Sequence, residues 1–416
     1  MKSISLMKKA SIVSIGNELL NGQTVDTNAA YLSRRLLAIN IPVTGIYTTA
    51  DDLDFIVRAL KLACEDGDLV MVTGGLGPTD DDVTRQGLAK FLQVPLQFSE
   101  ELLQKIEDFF TKRNLQMPPN NKTQAYIPAG TKILENRLGT AAGIMAKAGE
   151  KLIFVMPGVP VEMKQMFEES VLPQLKKSAA GQTVVVHMLK CFGTGESNVA
   201  QMLGDIMHRG RNPQINCTVE YGVITLHIVA TADNKETAER MVEKDEKFLR
   251  NLLGELVFGT GEQTLAQVVG EKLSRQKKTV AVAESCTGGI LAKLLTDVPG
   301  ASDYFTCGWI TYSNEAKINE LDVPTDLIEK YGAVSEQVAA AMAQSARKKA
   351  GSDFAIGITG IAGPTGGSEQ KPVGLVYISI DSEKGNKTKS FIFSADRESV
   401  RLRAAQTALN ILRLNL

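Results

Sequence analysis

Two stretches of the chain set reactive side chains beside runs of glycine. The first is Gly74-Gly75-Leu76-Gly77-Pro78-Thr79-Asp80-Asp81-Asp82. Glycines at a strand end let backbone amides approach an anion closely, and the start of a following helix adds a positive dipole. Asp80 could simply cap that helix, with Asp81 and Asp82 favouring its dipole. Three carboxylates beside a phosphate cradle would nevertheless repel the phosphate unless a divalent cation bridged them. The run therefore points to metal-assisted phosphate chemistry alongside ordinary capping. Two more loops follow candidate strands: Gly16-Asn17-Glu18-Leu19-Leu20-Asn21-Gly22, with Asp26-Thr27-Asn28 after it, and Pro157-Gly158-Val159-Pro160, with Glu162 just beyond. In a parallel sheet the carboxyl ends of the strands share one edge, so three such loops can face one crevice. Pro157–Pro160 can equally be a rigid turn.

The second stretch is Glu284-Ser285-Cys286-Thr287-Gly288-Gly289. A small hydroxyl at a strand-to-helix turn among glycines is where hydrolases often expose a nucleophile, although this is not a G-x-S-x-G elbow. Helix capping by Ser285 or Thr287 is the plainer reading. The chain's three histidines, His187, His208 and His227, all lie in its middle. A Ser-His-Asp triad is therefore hard to build, and a serine–lysine pair is the most economical way to activate Ser285. The candidate lysine is Lys317 in Tyr312-Ser313-Asn314-Glu315-Ala316-Lys317, where Asn314 could cap the helix and Tyr312 could relay a proton. Such a lysine becomes a base only if burial or a neighbouring positive charge lowers its pKa. Cys286 is the rival nucleophile, without a histidine to pair with it. The glycine-rich run Gly357–Gly367 contains Thr359 and Gly360, and its amides could face a phosphate or an oxyanion. Arg397 and Arg401 are candidates for a ligand phosphate, or else exposed helix charges.

Elements of an α/β protein must position these groups. Strands are expected at Ser11–Gly16, Val43–Thr49, Asp68–Thr73 and Lys151–Met156, with helices at Thr27–Asn40, Leu53–Glu65, Val83–Gln93, Glu101–Arg113 and Val159–Lys177. This is the pattern of parallel βαβ units. From about Ser178 a small α+β module is expected, with strands Thr183–Phe192 and Val223–Thr231 and helices Ser197–Met207 and Lys235–Leu253. Its Gly193-Thr194-Gly195-Glu196-Ser197 segment reads as a tight turn. Gly254–Gln263 reads as a linker, followed by a second α/β pattern ending in a helix over Arg397–Leu414. The expected domains are 1–177, 178–256 and 257–416.

Composition bounds the partners. The 416 residues carry 46 Lys plus Arg against 47 Asp plus Glu, a net charge of −1, which argues against an electrostatic footprint for nucleic acid. No apolar run approaches the roughly 18 residues that a membrane span needs. The first 20 residues lack an apolar core of secretory length. The five cysteines are widely spaced with no CxxC pair, as expected of free thiols in a reducing compartment. A cytoplasmic protein acting on small molecules is expected.

The segments GNELLNGQTVDTN, TGGLGPTDDDVT, NKTQAYIP and PGVPVEM resemble the amino-terminal domain of the CinA (competence/damage-inducible) family, whose fold is similar to the molybdopterin-binding domain. The resemblance implies a pyrophosphatase dependent on magnesium or a similar divalent metal, cleaving ADP-ribose to AMP and ribose 5-phosphate. Glu18, Asp80, Asp81 and Asp82 match its acidic, metal-holding positions. Gly74, Gly75 and Gly77 match its loop, with Asn28 and Gly158 as further substrate-side candidates. Ala142, in Gly139–Gly143, stands where proline is expected in related sequences. The segments AESCTGG, YSNEAK and GITGIAGPTGG resemble the nicotinamide mononucleotide deamidase domain, an α/β/α domain forming the carboxy-terminal part of long CinA proteins. That resemblance implies hydrolysis to nicotinic acid mononucleotide and ammonia with no cofactor. Ser285, Tyr312 and Lys317 match its catalytic positions, and Thr359, Gly360 and Arg397 its substrate side. It also implies a homodimer. An amino-terminal domain that merely binds a pterin or nucleotide, with deamidation the sole activity, is the alternative.

Overall fold

The structure is a computed structural model describing residues 9–178 and 183–416. The chain forms two compact units. One gathers the chain up to Val185 with Thr231–Glu239, and the other comprises Val186–Ala230 and Arg240–Leu416.

In the first unit the strands are β1 (Ala10–Ile15), β2 (Val43–Thr49), β3 (Leu69–Thr73), the short β4 (Leu96–Phe98), β5 (Tyr126–Pro128) and β6 (Lys132–Leu134), then β7 (Gly143–Ala148) and β8 (Lys151–Met156). The helices are α1 (Asn17–Leu20), α2 (Thr27–Leu37), α3 (Leu53–Asp66), α4 (Thr84–Leu92), α5 (Glu100–Thr111), α6 (Pro160–Met166) and α7 (Leu172–Ser178). The main sheet runs β2-β1-β3-β8-β7-β6, parallel through β8 and antiparallel at β7 and β6. Alternate residues of the central strands feed opposite cores, as a pleat with period two requires. Ile12, Met71 and Phe154 pack with α2 and α6, whereas Val13, Val72 and Val155 pack with α3 and Leu88 of α4. Burial on both faces is why these strands read as continuous apolar runs.

The helix expected over Val159–Lys177 is α6 and α7 joined by a wider π-turn, Phe167–Val171. That turn carries Glu168, whose carboxylate accepts from Arg35 Nε at 2.6 Å and Tyr31 Oη at 2.5 Å. The burial of Tyr31 and its bond to Glu168 push the phenol up to about 12.

The remaining strands are β9 (Thr183–Cys191), β10 (Gln214–Glu220), β11 (Val223–Ala232), β12 (Val257–Thr260), β13 (Val280–Glu284), β14 (Phe305–Ile310), β15 (Phe354–Gly360), β16 (Leu375–Ser382) and β17 (Gly385–Ile392). The remaining helices are α8 (Glu196–Leu203), α9 (Lys235–Leu253), α10 (Leu265–Gln276), α11 (Ile290–Thr296), α12 (Asn314–Leu321), α13 (Thr325–Tyr331), α14 (Glu336–Ala350) and α15 (Arg397–Asn415). A four-stranded sheet runs β10-β11-β9-β12. The expected linker Gly254–Gln263 is corrected here: Val257 and Phe258 are buried and β12 pairs antiparallel with β9. Its glycines resemble a linker by composition, but the apolar pair between them completes a sheet edge.

The last sheet runs β14-β13-β15-β16-β17, with the first three strands parallel. Val280 and Val282 of β13 face a core filled from α15 by Val400, Ala404 and Leu409. Ala281 and Ala283 face α14 through Val338, Met342 and Ala346. Gly357 lets α14 lie close, since a Cβ there would stand 2.4 Å from the Ala339 carbonyl oxygen. All five cysteines are free thiols. Among the described residues no helix is long and apolar enough to cross a membrane.

Candidate active sites

Parallel register brings the ends of β1, β3 and β8 to one level: Ser14 pairs with Thr73, and Thr73 with Met156. The loops that follow line a cavity of about 670 Å3, bordered by Glu18, Gly74, Gly75, Gly77, Gly158 and five acids in all. Those acids are Glu18, Asp51, Asp81, Asp82 and Glu162, and among the described residues no Lys, Arg or His lines the cavity. Two expected residues stand elsewhere. Asp80 is exposed and is not part of the lining. Asn28 is buried behind the wall, donating from Nδ2 to the Gly158 carbonyl at 2.7 Å, while its Oδ1 is buried without a partner.

The capping expected of Asp80 does not occur. Val83 occupies the cap position of α4 without a side-chain bond. Asp82 instead ties the glycine loop together, accepting from Gly77 N at 2.7 Å and Thr79 N at 2.9 Å. Gly74 N donates to the Met156 carbonyl, so the amides of Gly74 and Gly77 are both committed within the protein. Buried Arg85 holds the carbonyls of Leu76 and Gly77, at 2.6 and 2.8 Å. Gly74, at φ +103°, has no room for a side chain, because a Cβ would stand 2.1 Å from the Ile15 carbonyl oxygen. At Gly139–Gly143 the turn is made without the expected proline, by Asn136, whose Oδ1 accepts from the amides of Leu138 and Gly139.

Asp51 is the acid that the sequence reading missed. It follows β2, accepts from Asn17 N at 2.8 Å, and has its carboxyl pushed above the usual range by burial and by the charges of Glu18, Asp81 and Asp82. A carboxyl raised in part by its acidic neighbours sits where positive charge is short. A divalent cation fits that deficit. Among the described residues, however, no three His, Cys, Asp or Glu side chains converge closely enough to hold a metal by themselves. Magnesium is commonly held by one or two carboxylates plus substrate phosphates, so the two observations are compatible.

In the second unit, β13 lies between β14 and β15, with Glu284 level with Ile310 and Ile358. Ser285, Thr311 and Thr359 therefore emerge side by side. Lys317, on α12, is 1% exposed and lies with Nζ 3.0 Å from Ser285 Oγ. Nζ is anchored by the Thr311 carbonyl at 2.8 Å. Burial lowers its pKa below the ordinary lysine value. The cap of α12 is Ser313, accepting from Ala316 N, one residue before the expected Asn314. Burial also pushes the Cys286 thiol up to about 12, which keeps it protonated near neutrality.

Neither Ser285 nor Thr287 caps α11. Glu284 does so from the strand, its fully buried carboxylate accepting from the amides of Gly289, Leu291 and Ala292 at 3.0, 3.1 and 2.7 Å. Arg401 braces the same turn, donating to the carbonyls of Cys286 and Thr287 at 3.1 and 2.8 Å. Exposed Arg397 donates to the Tyr312 hydroxyl at 3.0 Å and to the Gly363 carbonyl at 2.7 Å. The Thr359 hydroxyl is turned away to the Ala333 carbonyl, and Gly360 packs against β16, where a Cβ would stand 2.7 Å from the Leu375 carbonyl oxygen.

Residues 11–177 match the family model described as "Probable molybdopterin binding domain", 186–259 that of the damage-inducible protein CinA KH domain, and 262–416 that of the CinA C-terminal domain. A CinA-like protein of Dictyoglomus thermophilum is 42% identical over 410 residues, covering 98% of this chain and 99% of its own. The chain belongs to the CinA family. A CinA-like protein of Kosmotoga olearia is likewise 42% identical, over 97% of this chain and 98% of its own. Among solved structures, CinA from Thermoplasma acidophilum is 36% identical over 41% of this chain and 98% of that one, with a TM-score of 0.38. The competence/damage inducible protein CihA of Agrobacterium tumefaciens is 39% identical over 36% and 94%, with a TM-score of 0.36.

The sequence signals for the missed residues of this CinA-family chain differ. The sequence signal for Asp51 is its place just after β2, matching the places of the lining loops after β1, β3 and β8. Glu284 was in plain view, but only the turn geometry shows its carboxylate serving the helix instead of the reaction. Arg401 could not be told from a phosphate ligand until its guanidinium was seen holding two carbonyls.

Proposed function

We propose that this CinA-family chain carries two hydrolytic sites for pyridine-nucleotide breakdown products. The site in the second unit deamidates nicotinamide mononucleotide through Ser285 and Lys317. The observation that carries this reading is the buried Nζ of Lys317 at 3.0 Å from Ser285 Oγ. An amine that burial makes easier to deprotonate can, in its neutral form, accept the serine proton as Oγ attacks the carboxamide carbon. The proton then passes to the departing nitrogen, the C–N bond breaks, and ammonia leaves an ester on Ser285. Tyr312, 61% exposed with its hydroxyl accepting from Arg397, is the residue we assign to assist that transfer. Water then releases the acid and returns the proton to the serine. The protonated thiol of Cys286 makes it a poor nucleophile. Exchanging Ser285 and Cys286 for alanine separately tests the assignment by ammonia release. S285A should be inactive, and a fully active S285A would overturn it.

The site in the first unit cleaves ADP-ribose to AMP and ribose 5-phosphate. One or two of Glu18, Asp51 and Asp81, together with the substrate's phosphates, would hold a divalent cation, Asp82 being engaged by the loop and Glu162 by Asn136 Nδ2. When bound, the cation offsets charge on the pyrophosphate and lowers the pKa of water. The acids that line the cavity would orient the attacking water. The committed amides of Gly74 and Gly77 favour a second reading, in which the pocket binds a pterin or nucleotide without cleaving it. Incubation with both substrates, with and without a chelator, separates the readings. AMP release abolished by the chelator, with ammonia release continuing, supports two sites; no AMP under any condition supports binding alone.

A further inference from the structure

The Gly193–Ser197 turn has a place that its sequence did not suggest. It borders a cavity of about 390 Å3 within the second unit, closed on the other side by β17 and α15. This is within the size range of small-molecule sites. Phe391 and Phe393 lie there with rings 8° from parallel and centroids 5.9 Å apart. The Arg403 guanidinium sits 5.2 Å from the centre of the Phe393 ring. Arg403 is half-buried, yet among the described residues its guanidinium donates to no carboxylate or carbonyl, unlike Arg397, Arg401 and Arg413 of the same helix. Glu255 is the one acid lining this cavity with Arg403 and Lys389, while Arg403 also borders an adjoining cavity lined by Glu196 and Glu220.

The wall opposite is bare backbone. Gly195 has open space where a side chain would be, and Gly193, at φ +110°, faces the Asn410 amide nitrogen. Asn410 is only 8% exposed, and its Oδ1 is fixed by Arg413 Nε at 3.0 Å, which turns Nδ2 toward that wall. A partly desolvated guanidinium favours an anion, and flat aromatic rings favour a planar base.

We infer that this cavity binds a nucleoside monophosphate, with its phosphate on Arg403 and its base against Phe391. The site is separate from both hydrolytic sites, and the inference does not depend on either of them being active. The test is equilibrium dialysis of the full-length protein with AMP in the presence of a chelator, comparing the unaltered chain with R403Q and T194W. Thr194 lines the cavity from the turn, so a tryptophan there fills it while Arg403 itself is kept. Both variants should lose one AMP equivalent or bind it at least tenfold more weakly. Adenosine and inorganic phosphate should each bind the unaltered chain at least tenfold more weakly than AMP. Circular dichroism establishes that each variant is folded. Undiminished AMP binding in either folded variant, or phosphate binding as tightly as AMP, would overturn the inference.

Discussion

Replacing Lys317 with methionine separates chemistry from stability at one position. The stem is buried along its length, and methionine fills most of the same space. What disappears is the amine, with its contacts to Ser285 Oγ at 3.0 Å and the Thr311 carbonyl at 2.8 Å. The contacts to the carbonyls of Tyr312 and Ser313, at 3.4 and 3.5 Å, are too long to matter much. Leaving one buried carbonyl unpaired costs about 1–3 kcal/mol. Removing a desolvated amine offsets part of that, so the unfolding free energy in urea should fall by less than about 3 kcal/mol. The rate should fall much further. Loss of a positioned general base costs about 10²–10⁴-fold, equivalent to about 3–5 kcal/mol of barrier. The pH profile adds a second readout. Burial disfavours the ammonium, so the reactive amine form is retained below the ordinary lysine range and lost as pH falls through the lowered value. Ammonia release from nicotinamide mononucleotide should therefore fall on acidification, and K317M should lack that limb. A folded K317M with wild-type rate and an unchanged pH profile would refute the reasoning.

Three other perturbations test the scaffold around the sites. E284Q removes one of two oxygens that together accept three amides, and should lower stability by about 1–3 kcal/mol in urea while slowing ammonia release. D51N relieves repulsion among Glu18, Asp81 and Asp82, so it should leave the melting temperature unchanged or raise it, yet weaken metal-dependent AMP release. G74A forces a Cβ against the Ile15 carbonyl oxygen at a left-handed backbone position, and should cost at least about 1–3 kcal/mol in a thermal melt, with AMP release lost before ammonia release.

Much of the architecture was legible because the central strands are buried on both faces and the helices between them are amphipathic. Val43–Thr49 and Lys151–Met156 stand as strands over their expected spans, and α2 and α3 begin at the expected residues. The short strands β4 to β7 were not legible, since three or six residues carry too little periodicity to distinguish pairing from loop. β12 was hidden because its glycines signalled a break, whereas its pairing with β9 depends on a strand more than sixty residues earlier.

Residue type and order determined which groups could react: a serine without a histidine, a lysine thirty-two positions later, and an acid run behind glycines. Only the folded chain decided which of them meet. Parallel register set Ser285 level with Thr311, and the short α12 returned Lys317 beneath it, where loss of water alters its basicity. The fold also withdrew Asp80 from the cavity and brought in Asp51. Neighbours in sequence share a loop but not a direction, and both the direction of a side chain and its distance from water belong to the packed molecule.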